Sequence, residues 1–184
     1  MASAMLQAVR SSVGQQPAHR RLPEDISQTF LEGVPVQFDV VPNGGIIEWD
    51  GVMPITTNGI VGVSKEGASG LTTFGVPKVL TYGKVNYQPG AVKIPAGAPM
   101  NDARIATDLA VADTVFKGQV GPSQSVAATD FNKSYGMTKD SDGHWYIDKT
   151  ATANPVVKIV GFDQFDTVRG VRFVFLASAM AQIE

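Results

Sequence analysis

Ser134-Tyr-Gly-Met-Thr138, Lys139-Asp-Ser-Asp-Gly143 and His144-Trp-Tyr-Ile-Asp148 follow one another in the second half of the chain. The middle block ends in Asp142-Gly143, and an Asp-Gly pair supplies the positive-φ positions that join two antiparallel strands. The flanking blocks set Tyr, Met, Trp and Ile among polar neighbours, so they read as the two arms of one hairpin. Alternation sends Trp145 and Ile147 into a core and turns His144 and Tyr146 outward. This hairpin commits the second half of the chain to sheet structure.

The same rhythm extends in both directions. Thr114-Val-Phe-Lys-Gly-Gln-Val120, Val156-Val-Lys-Ile-Val160 and Val171-Arg-Phe-Val-Phe-Leu176 read as further strands. In the last, Val171, Phe173 and Phe175 share one face, with Arg172, Val174 and Leu176 on the other. Such a strand is sandwiched, in its own core or against a partner chain. Toward the N-terminus, Val34-Pro-Val36-Gln-Phe38-Asp-Val40 alternates with period two, and Pro35 marks an edge strand or a strand start. Asn43-Gly44-Gly45 supplies a turn before Ile46-Ile-Glu-Trp49, and Asn58-Gly59 another before Ile60-Val-Gly-Val-Ser64. Gly67-Ala-Ser-Gly70 breaks that strand, and Thr72-Thr-Phe-Gly-Val76 or Lys78-Val-Leu-Thr-Tyr82 continues the sheet. Residues 83–100 contain Pro89, Gly90, Pro95, Gly97 and Pro99 and read as an extended connection, with room for a short strand at Ala91-Val-Lys-Ile94. Asn101-Asp102 and the four-residue spacing of Ile105 and Leu109 predict a short helix over 103–111.

Composition agrees. The 184 residues include 33 Val and Ile against 7 Leu, with 13 Thr. Side chains branched at Cβ lose rotamer freedom in a helix and fit a pleated surface. Charged residues make up 17% and cysteine is absent, which excludes a coiled coil, a disulfide scaffold and any thiolate catalyst or thiol-ligated metal. The fold class expected is mainly β, with two small β-barrel or jelly-roll-like domains. A basic flexible arm over 1–26 precedes an N-terminal β domain over 27–110, and a C-terminal β domain covers 111–184.

The formal charge of −2 is unevenly placed. Arg10, Arg20 and Arg21 give residues 1–21 a charge of +3, and the remainder carries −5. A basic arm on an acidic body reads as a docking device for an acidic surface, or as a frayed terminus. Residues 1–21 hold no apolar run long enough for a signal-peptide core, and 173–180 is too short to span a bilayer. The expectation is a protein made in the cytoplasm, with no membrane partner. Basic residues on the body are scattered, so no direct nucleic-acid contact is expected there.

Catalytic constellations are hard to assemble. Asp140, Asp142 and Asp148 resemble a calcium loop, but the glycine sits one place early and the bidentate Glu is missing. Gly67-Ala-Ser69-Gly70 is one residue short of a nucleophile elbow, and neither His19 nor His144 is placed to serve Ser69. Gly62-Val-Ser-Lys-Glu-Gly67 lacks the ending of a phosphate loop. Asn132-Lys-Ser134 matches a glycosylation sequon without a secretion signal. Asp163 and Asp166 flank Phe165 in what reads as a solvated loop. No cofactor, metal or catalytic residue is expected, and the chain reads as a non-enzyme.

Two groups of stretches carry a resemblance. Gly33-Val-Pro-Val36 through Gly59-Ile-Val-Gly-Val-Ser-Lys-Glu-Gly-Ala-Ser-Gly70 resembles the start of tailed-bacteriophage head decoration, or capsid cement, proteins. Tyr135-Gly-Met-Thr138, Gly143-His-Trp-Tyr-Ile-Asp-Lys149, Val157-Lys-Ile-Val-Gly161 and Val171–Leu176 are similar to C-terminal domains of phage capsid-associated proteins. The resemblance implies β-barrel or jelly-roll domains, a place on the capsid exterior of the virion, the major capsid protein as partner, and self-association. A homotrimer is expected first and a homodimer next. It carries no catalytic residues.

The expected function is therefore non-enzymatic: to bind the phage head and cement its shell. Arg10, Arg20 and Arg21 are the expected shell-facing contacts. Trp145, Phe173 and Phe175 are expected at an oligomer interface or in the core. One rival is another virion part, such as a head-fibre base or tail protein. Another is a β-sandwich carbohydrate-binding module, with Trp49, Trp145 or Tyr146 forming a sugar platform.

Overall fold

The computed structural model describes residues 6–11, 18–25, 27–39, 45–52, 59–68, 80–82, 85–87 and 104–181. Among them the protein is mainly β, and its one short helical turn, Ala128–Asp130, is of the 3-10 type. The turn at Asn43-Gly44, Asn58, Ser69-Gly70 and the stretches 72–76, 91–94 and 101–102 lie outside the described residues.

One sheet has six strands: β1 (Gln7–Ser11), β9 (Thr114–Gln119), β10 (Ser134–Lys139), β11 (Trp145–Asp148), β12 (Val157–Phe162) and β13 (Gly170–Phe175). Their spatial order is β1-β9-β13-β12-β10-β11. The second sheet has five: β2 (His19–Pro23), β3 (Pro35–Phe38), β4 (Ile46–Glu48), β5 (Ile60–Ser64) and β8 (Arg104–Leu109), in the order β2-β8-β5-β3-β4. All these ladders are antiparallel. A separate two-stranded ribbon joins β6 (Leu80–Tyr82) to β7 (Val85–Tyr87). Both large sheets curl. Val120, just past β9, bridges Ile147 of β11, and Glu24, just past β2, bridges Ile46 of β4. Each meeting is a single bridge, so neither sheet closes into a barrel.

The local chemistry explains the elements. At the quoted hairpin, Lys139 pairs with Trp145 and Gly136 with Asp148. Gly143 takes φ +90°, which a glycine adopts without a Cβ penalty. Asp140 Oδ1 accepts from the Asp142 and His144 amides at 3.0 and 2.8 Å and fixes the loop. Pro35 opens β3, a strand flanked by β4 and β5, and as its first residue it costs the ladder nothing.

Three expectations are corrected. The helix over 103–111 is the strand β8. A spacing of four is close to a helical turn, but it is also even, so Ile105 and Leu109 share one face of a strand equally well. Ile105, Thr107 and Leu109 are all buried there, and β8 is paired on both sides, by β2 and β5. Within the arm expected over 1–26, the described residues 7–11 form β1 on the six-stranded sheet and 19–23 form β2 on the five-stranded one. Finally, among the described residues the segments 27–110 and 111–184 share one core. One contiguous cluster takes Val34, Val36, Ile46, Ile60 and Ile105 from one sheet and Phe116, Ile147, Ile159, Phe173 and Phe175 from the other.

The sheets are tied at several points. Trp49 and Trp145 lie with ring centroids 4.9 Å apart and planes tilted by 32°. The C-terminal segment crosses to β5, where the Ile60 amide donates to Ala179 O at 2.8 Å and the Ala181 amide to Ile60 O at 3.0 Å. Gly59 permits this approach, because a Cβ there would collide with the Met180 and Ala181 backbone.

Candidate docking surface

The three arginines of the N-terminal segment are dispersed by the fold. Arg10 lies in β1 opposite Val115. Arg21 is half-buried; its guanidinium donates to Arg104 O at 3.0 Å and pairs with Glu66 Oε1 at 2.9 Å. Arg20 keeps an exposed side chain. Arg21 is thereby engaged with its own sheet.

The aromatic residues expected at an interface or in the core are in the core. Phe173, Phe175 and Trp145 are 0%, 4% and 4% exposed. Phe173 and Phe175 cluster with Phe116, at centroid distances of 5.1 to 5.8 Å. Trp49 and Tyr146 are buried as well, so neither they nor Trp145 can form a flat sugar platform. Tyr146 was expected to face outward; it does leave the core face of β11, but Arg169 covers its ring at 5.4 Å. A cation over an aromatic face buries the ring without placing it in the core.

The surface feature that stands out is the loop 163–169 between β12 and β13. Its two carboxylates point inward and hold the backbone. Asp163 is almost fully buried, and Lys117 Nζ meets its Oδ2 at 2.6 Å in an ion pair off hydrogen-bond geometry. The Phe165 amide donates to Asp163 Oδ1 at 3.2 Å. The Arg169 amide donates to Asp166 Oδ1 at 3.0 Å, and Gln119 Nε2 to Asp166 Oδ2 at 2.8 Å. Lys117 holds the Asp163 carboxyl below the usual carboxylate range despite its burial. The Arg169 amide does the same for Asp166. Arg169 closes the loop by donating through Nε and Nη2 to Val120 O, at 3.1 and 3.0 Å. The expectation of a solvated pair at Asp163 and Asp166 is thereby corrected. Gly170 is needed at the base, where a Cβ would sit 2.6 Å from Asp166 O.

With its two aspartates turned in, the loop turns Phe165 and Val168 out, beside the exposed Gln164 and Thr167. Phe165 is 83% exposed and Val168 61%. Beside them Val126, Ala127, Ala128, Phe162, Asp163, Gln164 and Thr167 line a shallow, mostly apolar groove of about 440 Å³. The far wall is equally firm. Asp130 accepts from Tyr135 Oη at 2.8 Å, Lys149 Nζ at 2.6 Å and the Ala127 amide at 2.8 Å. Burial pushes the Asp130 carboxyl up, but these donors together hold it below its ordinary value. Burial, with Asp130 alongside, pushes the Tyr135 phenol up to about 12. A rigid frame carrying exposed aromatic and branched side chains can bind another surface by burial. Sequence reading missed this site because Phe165 looked like any loop aromatic; the signal was an aspartate on either side of it with a glycine four residues after the second.

Among the described residues no group of His, Asp and Glu side chains is arranged to hold a metal ion, and no helix is long and apolar enough to cross a membrane. Of the acidic hairpin trio, Asp148 binds Gln124 Nε2 at 2.9 Å and the Thr150 hydroxyl at 2.7 Å, while Asp140 caps the turn. No protein-family model, curated protein or solved structure matches this chain.

Proposed function

We propose that this chain is a non-enzymatic structural protein of a tailed-phage virion, which binds the outside of the head and cements the shell by bridging capsid subunits. The observation that carries the reading is the Phe165–Val168 knuckle, an apolar surface held out on a loop whose two aspartates hold its backbone from beneath. Apolar side chains fixed in water on a rigid loop are a liability unless another surface covers them. The resemblance of the strand-rich stretches to capsid cement proteins names that surface as the shell. A core shared by two sheets suits a part that carries load between neighbours. Exposed Arg20 adds a positive contact, and self-association, as a trimer first, would multiply weak contacts into stable decoration.

The test is addition of the purified chain to phage heads that lack it, followed by cryo-EM. The expected result is density on the outer face of the shell, lost or weakened by Phe165→Asp with the fold unchanged by circular dichroism. Density in a tail or head-fibre base, or none on any part of the virion, would sink the proposal. Deleting residues 1–26 is a poor test, because it removes a strand from each sheet. Arg20→Glu probes the basic contact without that damage.

A further inference from the structure

We infer that the segment 6–11 is an exchangeable strand, and that the β9 edge it covers can accept the same segment from a second copy of this chain. This goes beyond the virion reading and does not depend on it.

The edge itself demands a partner. Without β1 the six-stranded sheet would end at β9, exposing a backbone row that invites pairing with another chain. The fold meets that demand with a strand from the opposite end of the sequence. Gln7 pairs with Lys117, Ala8 with Phe116, Arg10 with Val115 and Ser11 with Thr114, with an irregularity between Ala8 and Arg10. Removing β1 leaves β2 in its ladder with β8, since the two strands belong to different sheets.

The attachment is compact and repeatable. Leu6 is 2% exposed, and its Cδ2 lies 2.8 Å from where a Gly118 Cβ would stand, so the missing side chain is the socket for the leucine. The Leu6 amide donates to Gly33 O at 3.2 Å. Further along, Gln7 is exposed and Val9 is 41% exposed, so neither anchors the strand. The Leu6 knob, Ala8 packed against the core with its amide on Asp108, and a backbone ladder hold the strand, and a ladder with side-chain pockets is the usual make-up of strand addition between chains. A second copy would offer an identical knob and ladder, so docking within one chain and between two chains differs only in tethering and effective concentration. Crowding copies together shifts the balance toward exchange.

The absence of cysteine from the chain makes a clean test available. Full-length Gln7→Cys and Lys117→Cys variants are mixed at high concentration and oxidised, and the product is mapped by mass spectrometry. A disulfide between positions 7 and 117 of different molecules is expected at roughly tenfold the yield of a control mixing Val52→Cys with Lys117→Cys. Equal yields in the two mixtures would overturn the inference. The double variant Gln7→Cys/Lys117→Cys supplies the second measurement. It should close internally when dilute and form covalent multimers when concentrated. Purely internal closure at every concentration, or no closure at all, counts against exchange.

Discussion

Trp145 donates its indole N–H to Glu48 Oε1 at 2.8 Å, joining the β11 strand of one sheet to the β4 strand of the other. The second Glu48 oxygen takes Lys139 Nζ at 2.8 Å. One carboxylate thus serves a buried donor and an exposed cation at once, beside the Trp49–Trp145 contact.

Glu48→Ala should therefore lower stability by about 1–3 kcal/mol, mostly by stranding the buried indole N–H. The Lys139 pair is partly exposed and adds little. Glu48→Gln keeps an acceptor for the indole and should lose less than half as much. Urea unfolding followed by tryptophan fluorescence compares the two, and equal losses would contradict this division.

Phe173→Ala should cost about 3–5 kcal/mol, the usual range for emptying a packed aromatic site. The loss should show in the urea midpoint at any protein concentration. A loss that vanished on dilution would instead place Phe173 at a contact between copies.

Two buried aspartates should respond to pH in opposite directions. Lys117 holds Asp163 below its ordinary value, so its contribution is present above the unfolded carboxylate range and is lost as pH falls through the folded value. Burial raises Asp108, against the opposing pull of Lys65, His19 and the Ala8 amide. Its charged form is therefore a cost at neutral pH that fades as pH falls through its raised value toward the ordinary one. Asp163→Asn should destabilise at pH 7, with the difference shrinking in acid. Asp108→Asn should be neutral or stabilising at pH 7, with any gain shrinking toward pH 4. Urea midpoints across that range check both signs.

Phe165→Asp should change the urea midpoint by no more than about 0.5 kcal/mol equivalent, because the side chain is outside the core. A large loss would show that the exposed ring is a packing element rather than a contact surface.

The strands around 134–176 were legible because each buries one face and keeps the other partly wet, so period two is written into residues such as Val171, Phe173 and Phe175. β8 was misread because its flanking apolar pair is four apart, a spacing that two periodicities share. β1 and β2 were invisible for a different reason. Gln7-Ala-Val-Arg-Ser11 and His19-Arg-Arg-Leu-Pro23 are edge strands with few apolar side chains. What makes them strands is the free edges of β9 and β8, which lie about a hundred positions away in sequence. The docking loop shows the same limit, since the inward turn of Asp163 and Asp166 depends on Lys117 and Gln119 of another strand.

The crossing of the chain ends has a consequence for biosynthesis. β1 is made well before the strand it lies on, β9, and β2 must likewise wait for β8. Residues 179–181, which lie on β5, follow all the described strands in sequence. Leu6 therefore stays uncovered until β9 has been made, whereas the five-stranded sheet, whose last strand in sequence is β8, has all its strands before the six-stranded sheet gains β9.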